Sequence, residues 1–374
     1  MSDRILVATR KGLFQLRRKS AAGRIHWDIT NADFLGDHIT MALPDPRDGI
    51  FYSALYHGHF GCKMHRSRDG GATWSECGTP AYPPQPENWN PPPTAAGSVP
   101  APWNLQMIWC LETGGRDEAG VVWLGTIPGG LFRSADGGST WEFNRPLWDM
   151  PERLQWFGGG YDHAGIDSIS VDPRDSSHVT LAISCGGVWE TRDGGRSWCC
   201  NARGLYAEYM PPERRDDPNI QDPHRMVHCP SKPDCFWIQH HNGVFRSTDG
   251  ARQWHEINPP VSKFGFAAAV HPNDPDTAWL VPAVKDEKRI PVDARVVVTR
   301  TRNGGKSFDV LTDGLPQSQA YDLTFRHALD VDASGRRLVF GSTTGSLWIS
   351  ENQGDSWHCV SNHLPPIYCT RFVA

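Results

Sequence analysis

No stretch of this 374-residue sequence is long and apolar enough to span a bilayer as a helix. Basic runs are absent and the formal net charge is −5, so neither nucleic acid nor an anionic membrane is expected as the main partner. The sequence has no G-x-S-x-G, H-E-x-x-H, phosphate-binding loop or G-x-G-x-x-G. That removes the common signatures of serine hydrolases, zinc proteases and nucleotide-binding domains. The ten cysteines show no C-x-x-C spacing. Met1–Val7 enters an apolar run at once and reads as carrying no signal peptide. Reduced thiols in a cytoplasmic protein are therefore expected. The vicinal pair Cys199–Cys200 falls on an expected strand, where its two side chains face opposite ways.

What is abundant is glycine (37), proline (30) and tryptophan (16), a composition suited to short strands, many turns and large apolar plates. One pattern, S/T-x-D/N-x-G-x-x-W/F, is written six times: Ser67–Trp74, Ser134–Trp141, Thr191–Trp198, Ser247–Trp254, Thr301–Phe308 and Ser350–Trp357, with Ala251 in place of one glycine. Most copies follow a short apolar run and open another at the aromatic residue, so each reads as the turn of a β-hairpin. The hydroxyl and the carboxylate can accept turn N–H groups, and glycine can take positive φ. Asp69, Asp136 and Asp193 are therefore expected to be structural. Asn303 and Asn352 stand at the same place in later copies, a swap that local hydrogen bonding tolerates and a catalytic acid would not.

The six copies resemble the Asp-box (BNR) repeat, found in sialidases, xyloglucanases, the sortilin ectodomain and a photosystem II assembly factor. The resemblance covers nearly the whole chain and implies a β-propeller. The overall pattern is most similar to single-domain bacterial Asp-box proteins described as glycosyl hydrolases or sialidase-like. This implies a glycosidase-like activity on a carbohydrate or other polar small molecule, or a non-catalytic propeller that binds a protein; a metal-dependent lyase using a histidine-rich rim is the other alternative. The sialidase arginine site does not carry over: sialidases have Arg-Ile-Pro before the first box, whereas Arg289-Ile290-Pro291 comes late here.

A seventh, worn repeat opens the chain, with expected strands Ile5–Thr9, Gly12–Leu16 and His26–Ile29 and Trp27 in the box-aromatic place. Tyr368–Val373 is an apolar strand with no local partner, and placing it in the first blade closes the ring. The expectation is one all-β domain over residues 1–374, a seven-bladed propeller of four-stranded antiparallel blades. The box turns and the first-to-second-strand turns share one face. The long connections (78–102, 144–165, 201–223 and 285–295) share the other, which is where a site belongs.

Histidines gather on that elaborated face: His38, His57, His59, His163, His224, His240 and His241. Aligning the first strands puts His38, Asp167, His224 and Phe266 at equivalent rim positions. Imidazoles and carboxylates converging from separate blades suit a divalent metal, with His224 and His240 as candidate ligands. They equally suit acid–base chemistry without metal, or hydrogen bonds to loop backbone. Candidate catalytic groups are Asp162, Asp167, Asp222, His224 and Asp322, since glycoside hydrolysis uses a pair of carboxylates. Candidate ligand-binding groups are the remaining histidines with Tyr161, Tyr321, Arg289 and Arg326. Lys285, Lys288, Arg214 and Arg215 sit beside carboxylates and read as solvated loop charge. Trp89, Trp103, Trp148 and Trp156, in the long connections, read as a protein-binding patch or a sugar-stacking wall.

Overall fold

Each repeated turn is closed by its own side chains. In the computed structural model, which describes residues 1–21 and 23–374, Ser134 Oγ accepts the Gly138 N–H at 2.8 Å and donates to Asp136 Oδ1 at 2.8 Å. Asp136 Oδ1 also accepts the N–H groups of Ser139 and Thr140, both at 2.9 Å, and Oδ2 accepts the Thr140 hydroxyl at 2.6 Å. Gly137 and Gly138 turn the chain at φ 69° and 78°. The same bonding recurs around Asp69, Asp193 and Asp249, and around Asn303 and Asn352. Where glycine is replaced, Ala251 and Gln353 take φ 65° and 62°. The donors hold the Asp136 carboxyl down at about 2, the Thr140 hydroxyl and N–H contributing most.

The hairpins so made are the outer halves of six of seven four-stranded antiparallel sheets. Blades 2 to 7 begin at their inner strands His38–Pro44, Met107–Thr113, Gly165–Asp172, Pro223–Cys229, Gly265–His271 and Leu329–Val331. Blade 1 is made of Arg4–Thr9, Gly12–Ala21 and Arg24–Asp33, and its inner strand is the C-terminal Ile367–Val373. That strand pairs antiparallel with Arg4–Thr9, setting Val7 against Thr370, and Cys369 bridges to His327 before blade 7. Both termini thus close the ring within blade 1. Ile367, Cys369 and Phe372 are buried by it.

Three of the box tryptophans join neighbouring blades as well as filling the space between them. Trp141 Nε1 donates to Gly78 O at 2.7 Å, Trp198 Nε1 to Asn144 Oδ1 at 3.1 Å and Trp254 Nε1 to Asn201 O at 2.8 Å. Each acceptor lies just past the outer strand of the preceding blade. Such a bond contributes roughly 1 kcal/mol net, beyond the burial of the ring. Cys199 and Cys200 lie on the outer strand of blade 4, the first exposed and the second packed against the core.

At the rim, the inner strands share an irregularity that positions the site. Their pairing with the second strand skips Thr40, Asp167 and His224, and also skips Trp109, Phe266 and Tyr368. These are β-bulges, which in six of the seven blades free a residue (Phe266 together with Ala267 in blade 6) from the ladder where the strand reaches the channel mouth, while the blade 7 inner strand pairs without a shift. The bulge corrects the alignment drawn from sequence: the blade 2 residue equivalent to Asp167, His224 and Phe266 is Thr40, and His38 lies two residues before it. A residue inserted in the strand changes the side-chain alternation, and sequence spacing alone does not reveal it.

Candidate functional site

Two adjoining cavities occupy the mouth of the ring and share Gly160, Arg289 and Arg326. The larger, about 280 Å³, is lined by His38, Thr40, Trp109, Tyr161, Phe325 and Tyr368. The smaller, about 210 Å³, is lined by Asp222, His224, His241, Phe266, Tyr209 and Asp286. Most bulge residues therefore become the walls of these cavities. In blade 7 the irregular segment ahead of the short inner strand supplies Phe325, Arg326 and His327.

Arg326 is 6 % exposed, and neither its Nε nor its Nη2 has a hydrogen-bond partner among the described residues. Its guanidinium lies over the Trp109 ring at 4.5 Å and the Phe266 ring at 5.2 Å. Burial lowers its pKa, opposed by Asp167 and Asp222. Arg289 is different. It is tied to Asp286, with Nε and Nη2 at 3.0 and 2.5 Å from Oδ1.

Asp222 sits on the link into blade 5, immediately before the inner strand. Its Oδ1 accepts the Ser184 hydroxyl at 2.7 Å and the Cys185 N–H at 3.2 Å. Oδ2 is left facing His224 Nε2 and His241 Nδ1, each 3.4 Å away. The His224 ring is fixed from behind, where Nδ1 donates to Gly265 O at 2.7 Å and the ring stacks on Phe266. His241 follows the second strand of blade 5 and its N–H donates to Asp222 O at 2.9 Å. Burial pushes the Asp222 carboxyl up, but the two facing imidazoles outweigh it and hold it well below the ordinary range. His224 is lowered by burial despite Asp222. Burial also presses on His241, but less strongly, and its contact with Asp222, with Asp286 and Glu287 nearby, outweighs it and raises the group.

His240, expected beside His224 as a metal ligand, does not join this group. The N–H groups of Asp222 and Asn242 approach its two ring nitrogens at 3.0 and 3.1 Å, and burial pushes its pKa down to about 3. It holds the link and the turn together from behind. Asp222 and His241 instead complete the trio with His224, their ligand atoms all within 4.8 Å of one another.

The other sequence candidates separate. Asp167 is fully buried beneath the rim. Its Oδ1 accepts the Ser168 hydroxyl at 2.6 Å, Oδ2 has no partner among the described residues, and burial pushes its pKa up to about 7. Asp322 is taken up in a turn of blade 7, bonded by the hydroxyls of Ser342 and Thr344. Asp162 is exposed on the link into blade 4, and Tyr321 is 57 % exposed; neither lines the mouth cavities. His57 lies 3.5 Å from Asp37 and His59 packs on Phe60, both outside the cavities. His163 lines a narrow crevice beside Arg153 and Trp156. His38 does line the larger cavity, where burial lowers its pKa to about 4. Tyr161 faces it with Trp109 edge-on at 5.4 Å.

The loop tryptophans are neither wall nor open patch. Trp103 packs between Trp89 and Trp148 at 5.4 Å from each, Arg153 lies 3.9 Å over Trp148, and Trp156 packs near Trp189. Tyr82 pins the Pro-rich stretch to blade 3, bonding Thr126 Oγ1 and Pro128 O at 2.7 Å. Of the other loop cations, Lys285 borders only an outer groove and pairs with Glu287, while Arg214 pairs with Asp217. The aromatic walls are Trp109, Phe325, Tyr368 and Phe266. Sequence reasoning did not single out the first three as a wall, because neither the bulges that bring Trp109 and Tyr368 to the rim nor the irregular segment that carries Phe325 leaves a mark in the spacing.

No protein-family model matches the chain. Over 78 residues it is 33 % identical to the oligoxyloglucan-reducing end-specific xyloglucanase of Emericella nidulans, a match covering 21 % of this chain and 8 % of that enzyme. Among solved structures it is similar to an ancestral GH74 enzyme, with TM-score 0.59 and 16 % identity over 86 % of this chain and 38 % of the other. It is also similar to YCF48 bound to D1 peptide, with TM-score 0.51 and 13 % identity over 86 % of this chain and 80 % of the other. At these identities what is shared is the seven-bladed propeller fold.

Proposed function

We propose that this chain is a glycoside-hydrolase-like propeller that binds a carbohydrate bearing a carboxylate or equivalent anionic group across the two mouth cavities. The observation that carries this reading is Arg326, a buried guanidinium without a hydrogen-bond acceptor at Nε or Nη2 among the described residues. A buried charge left this way is costly, and a planar, bidentate anion is the partner that offsets the cost. Arg289 and Tyr161 stand on the same cavity. Trp109, Phe325 and Tyr368 offer apolar faces for a ring with few polar groups between them, as ligand pockets usually do. The partial likeness to a xyloglucanase supports the carbohydrate class. It spans a small part of that enzyme, so substrate and reaction are part of the proposal.

The test is calorimetric titration with uronate-containing oligosaccharides and neutral oligosaccharides of the same length, on wild type and Arg326→Met. Acidic ligands should bind and neutral ones much less. Losing charged hydrogen bonds of about 1.5–3 kcal/mol corresponds to a weakening of at least tenfold. Arg326→Met should also keep or raise the thermal midpoint of the ligand-free protein, because it removes the unpaired charge. Equal binding of acidic and neutral sugars, or unchanged binding by the variant, refutes the reading. A D1-type peptide, as in the YCF48 complex, is the comparison ligand for a protein-binding role.

A further inference from the structure

We propose that Asp222, His224 and His241 form a binding site for one divalent transition-metal ion of the zinc, iron(II) or manganese(II) class, in the wall of the smaller mouth cavity. The inference deepens the ligand reading by setting a cation on the same cavity as Arg326, but it rests on different atoms.

The spacing is the first argument. A charge-assisted hydrogen bond between imidazole and carboxylate closes to about 2.7–2.9 Å. Here both imidazole nitrogens stop 3.4 Å from the same carboxylate oxygen. Ligands held at about 2.1 Å around a tetrahedral ion lie roughly 3.4 Å apart. All three ligand atoms fall within 4.8 Å of one another, so closing the two imidazole nitrogens by at most about 1.4 Å, the difference from that tetrahedral spacing, would bring each to an ion among them.

The support behind the ligands is the second argument. A metal-binding histidine gives its other ring N–H to a carbonyl or carboxylate, which fixes the tautomer and aims the lone pair. His224 does this through Nδ1 and Gly265 O at 2.7 Å, leaving Nε2 for the ion. Asp222 is held likewise: Ser184 and Cys185 occupy Oδ1 and leave Oδ2 for the ion. Asp222 and His224 are both nearly fully buried, a setting in which one carboxylate facing two imidazoles is well served by a cation.

The chemistry of the set is the third. Two imidazoles and one carboxylate suit Zn, Fe(II) or Mn(II), and three protein ligands leave coordination positions open. The cavity that also holds Arg289 and Arg326 lies on that side. An anionic ligand held by Arg326 could therefore take an open position on the ion.

The experiment uses untagged protein, stripped with chelator and then dialysed against Zn²⁺ or Mn²⁺, with bound metal read by elemental mass spectrometry and folding by far-ultraviolet circular dichroism. Wild type should hold close to one equivalent. His241→Ala, in a half-exposed turn, should fold and lose metal affinity at least a hundredfold. Ser184→Ala, which touches no ion, should weaken it about tenfold through Asp222. His57→Ala should bind as wild type. Wild type that retains no more metal than a buffer blank, or His241→Ala that binds like wild type, overturns the proposal. Acidic-sugar binding by the stripped protein is scored separately, so either reading can fail without the other.

Discussion

Replacing Asp167 by asparagine should change how the stability of this propeller depends on pH. Burial raises the Asp167 pKa from 3.8 to about 7, with Arg326 and the Ser168 hydroxyl only partly opposing it. In the unfolded chain the group ionises near 3.8. Between those values the folded state therefore holds a proton that the unfolded state has released. By linkage, the contribution of Asp167 is fully present below about pH 4 and is lost as pH rises toward 7. Each tenfold difference is worth about 1.4 kcal/mol, so the whole loss is on the order of 4 kcal/mol. Asparagine keeps the shape and a polar neutral group but has no proton to lose. The assay is guanidinium denaturation of both proteins at pH 5 and pH 8. Wild type should lose more stability than Asp167→Asn between the two, by a few kcal/mol, so that the variant is relatively more stable at pH 8. Because every other titrating group is common to both, the difference isolates this one. A gap between the two proteins that stays constant from pH 5 to 8 would refute the reasoning and place the Asp167 titration elsewhere.

Three further outcomes follow from the turns and the closure. Asp136→Ala removes the acceptor of two N–H groups and should lower the thermal midpoint by several degrees, whereas Asp136→Asn should lose less, since Asn303 and Asn352 already fill the same role. The depressed Asp136 pKa, about 2, means its contribution is present above pH 4 and is lost as pH falls toward 2; an acid titration of wild type against Asp136→Asn should show the variant less sensitive there. Deleting Ile367–Val373 strips the inner strand from blade 1 and exposes the edge at Arg4–Thr9. The truncated chain should aggregate or lose cooperative unfolding, and a soluble monomer with a wild-type melting curve would count against ring closure as the source of stability.

The architecture was legible in the sequence for a local reason. The box turn is bonded within a few residues, Ser134 to Gly138 and Asp136 to Thr140, so the pattern that forms it must appear in the chain as written. Counting turns counted blades, and an apolar C-terminal strand without a local partner pointed to the worn first blade. The site was legible only in part. His224, Asp222, His241, Arg289 and Arg326 were among the candidates, but so were Asp322, His57 and Tyr321, whose residue types are alike and whose surroundings are not. His240 differs from His241 by one position, yet it faces backbone N–H groups while its neighbour faces a carboxylate. By itself, then, the sequence determined the turns, the number of blades and the face that carries the elaborated loops. Tertiary structure alone decided which side chains meet at the mouth, because a bulge in six of the seven inner strands resets the alternation and residues far apart in the chain converge on one axis.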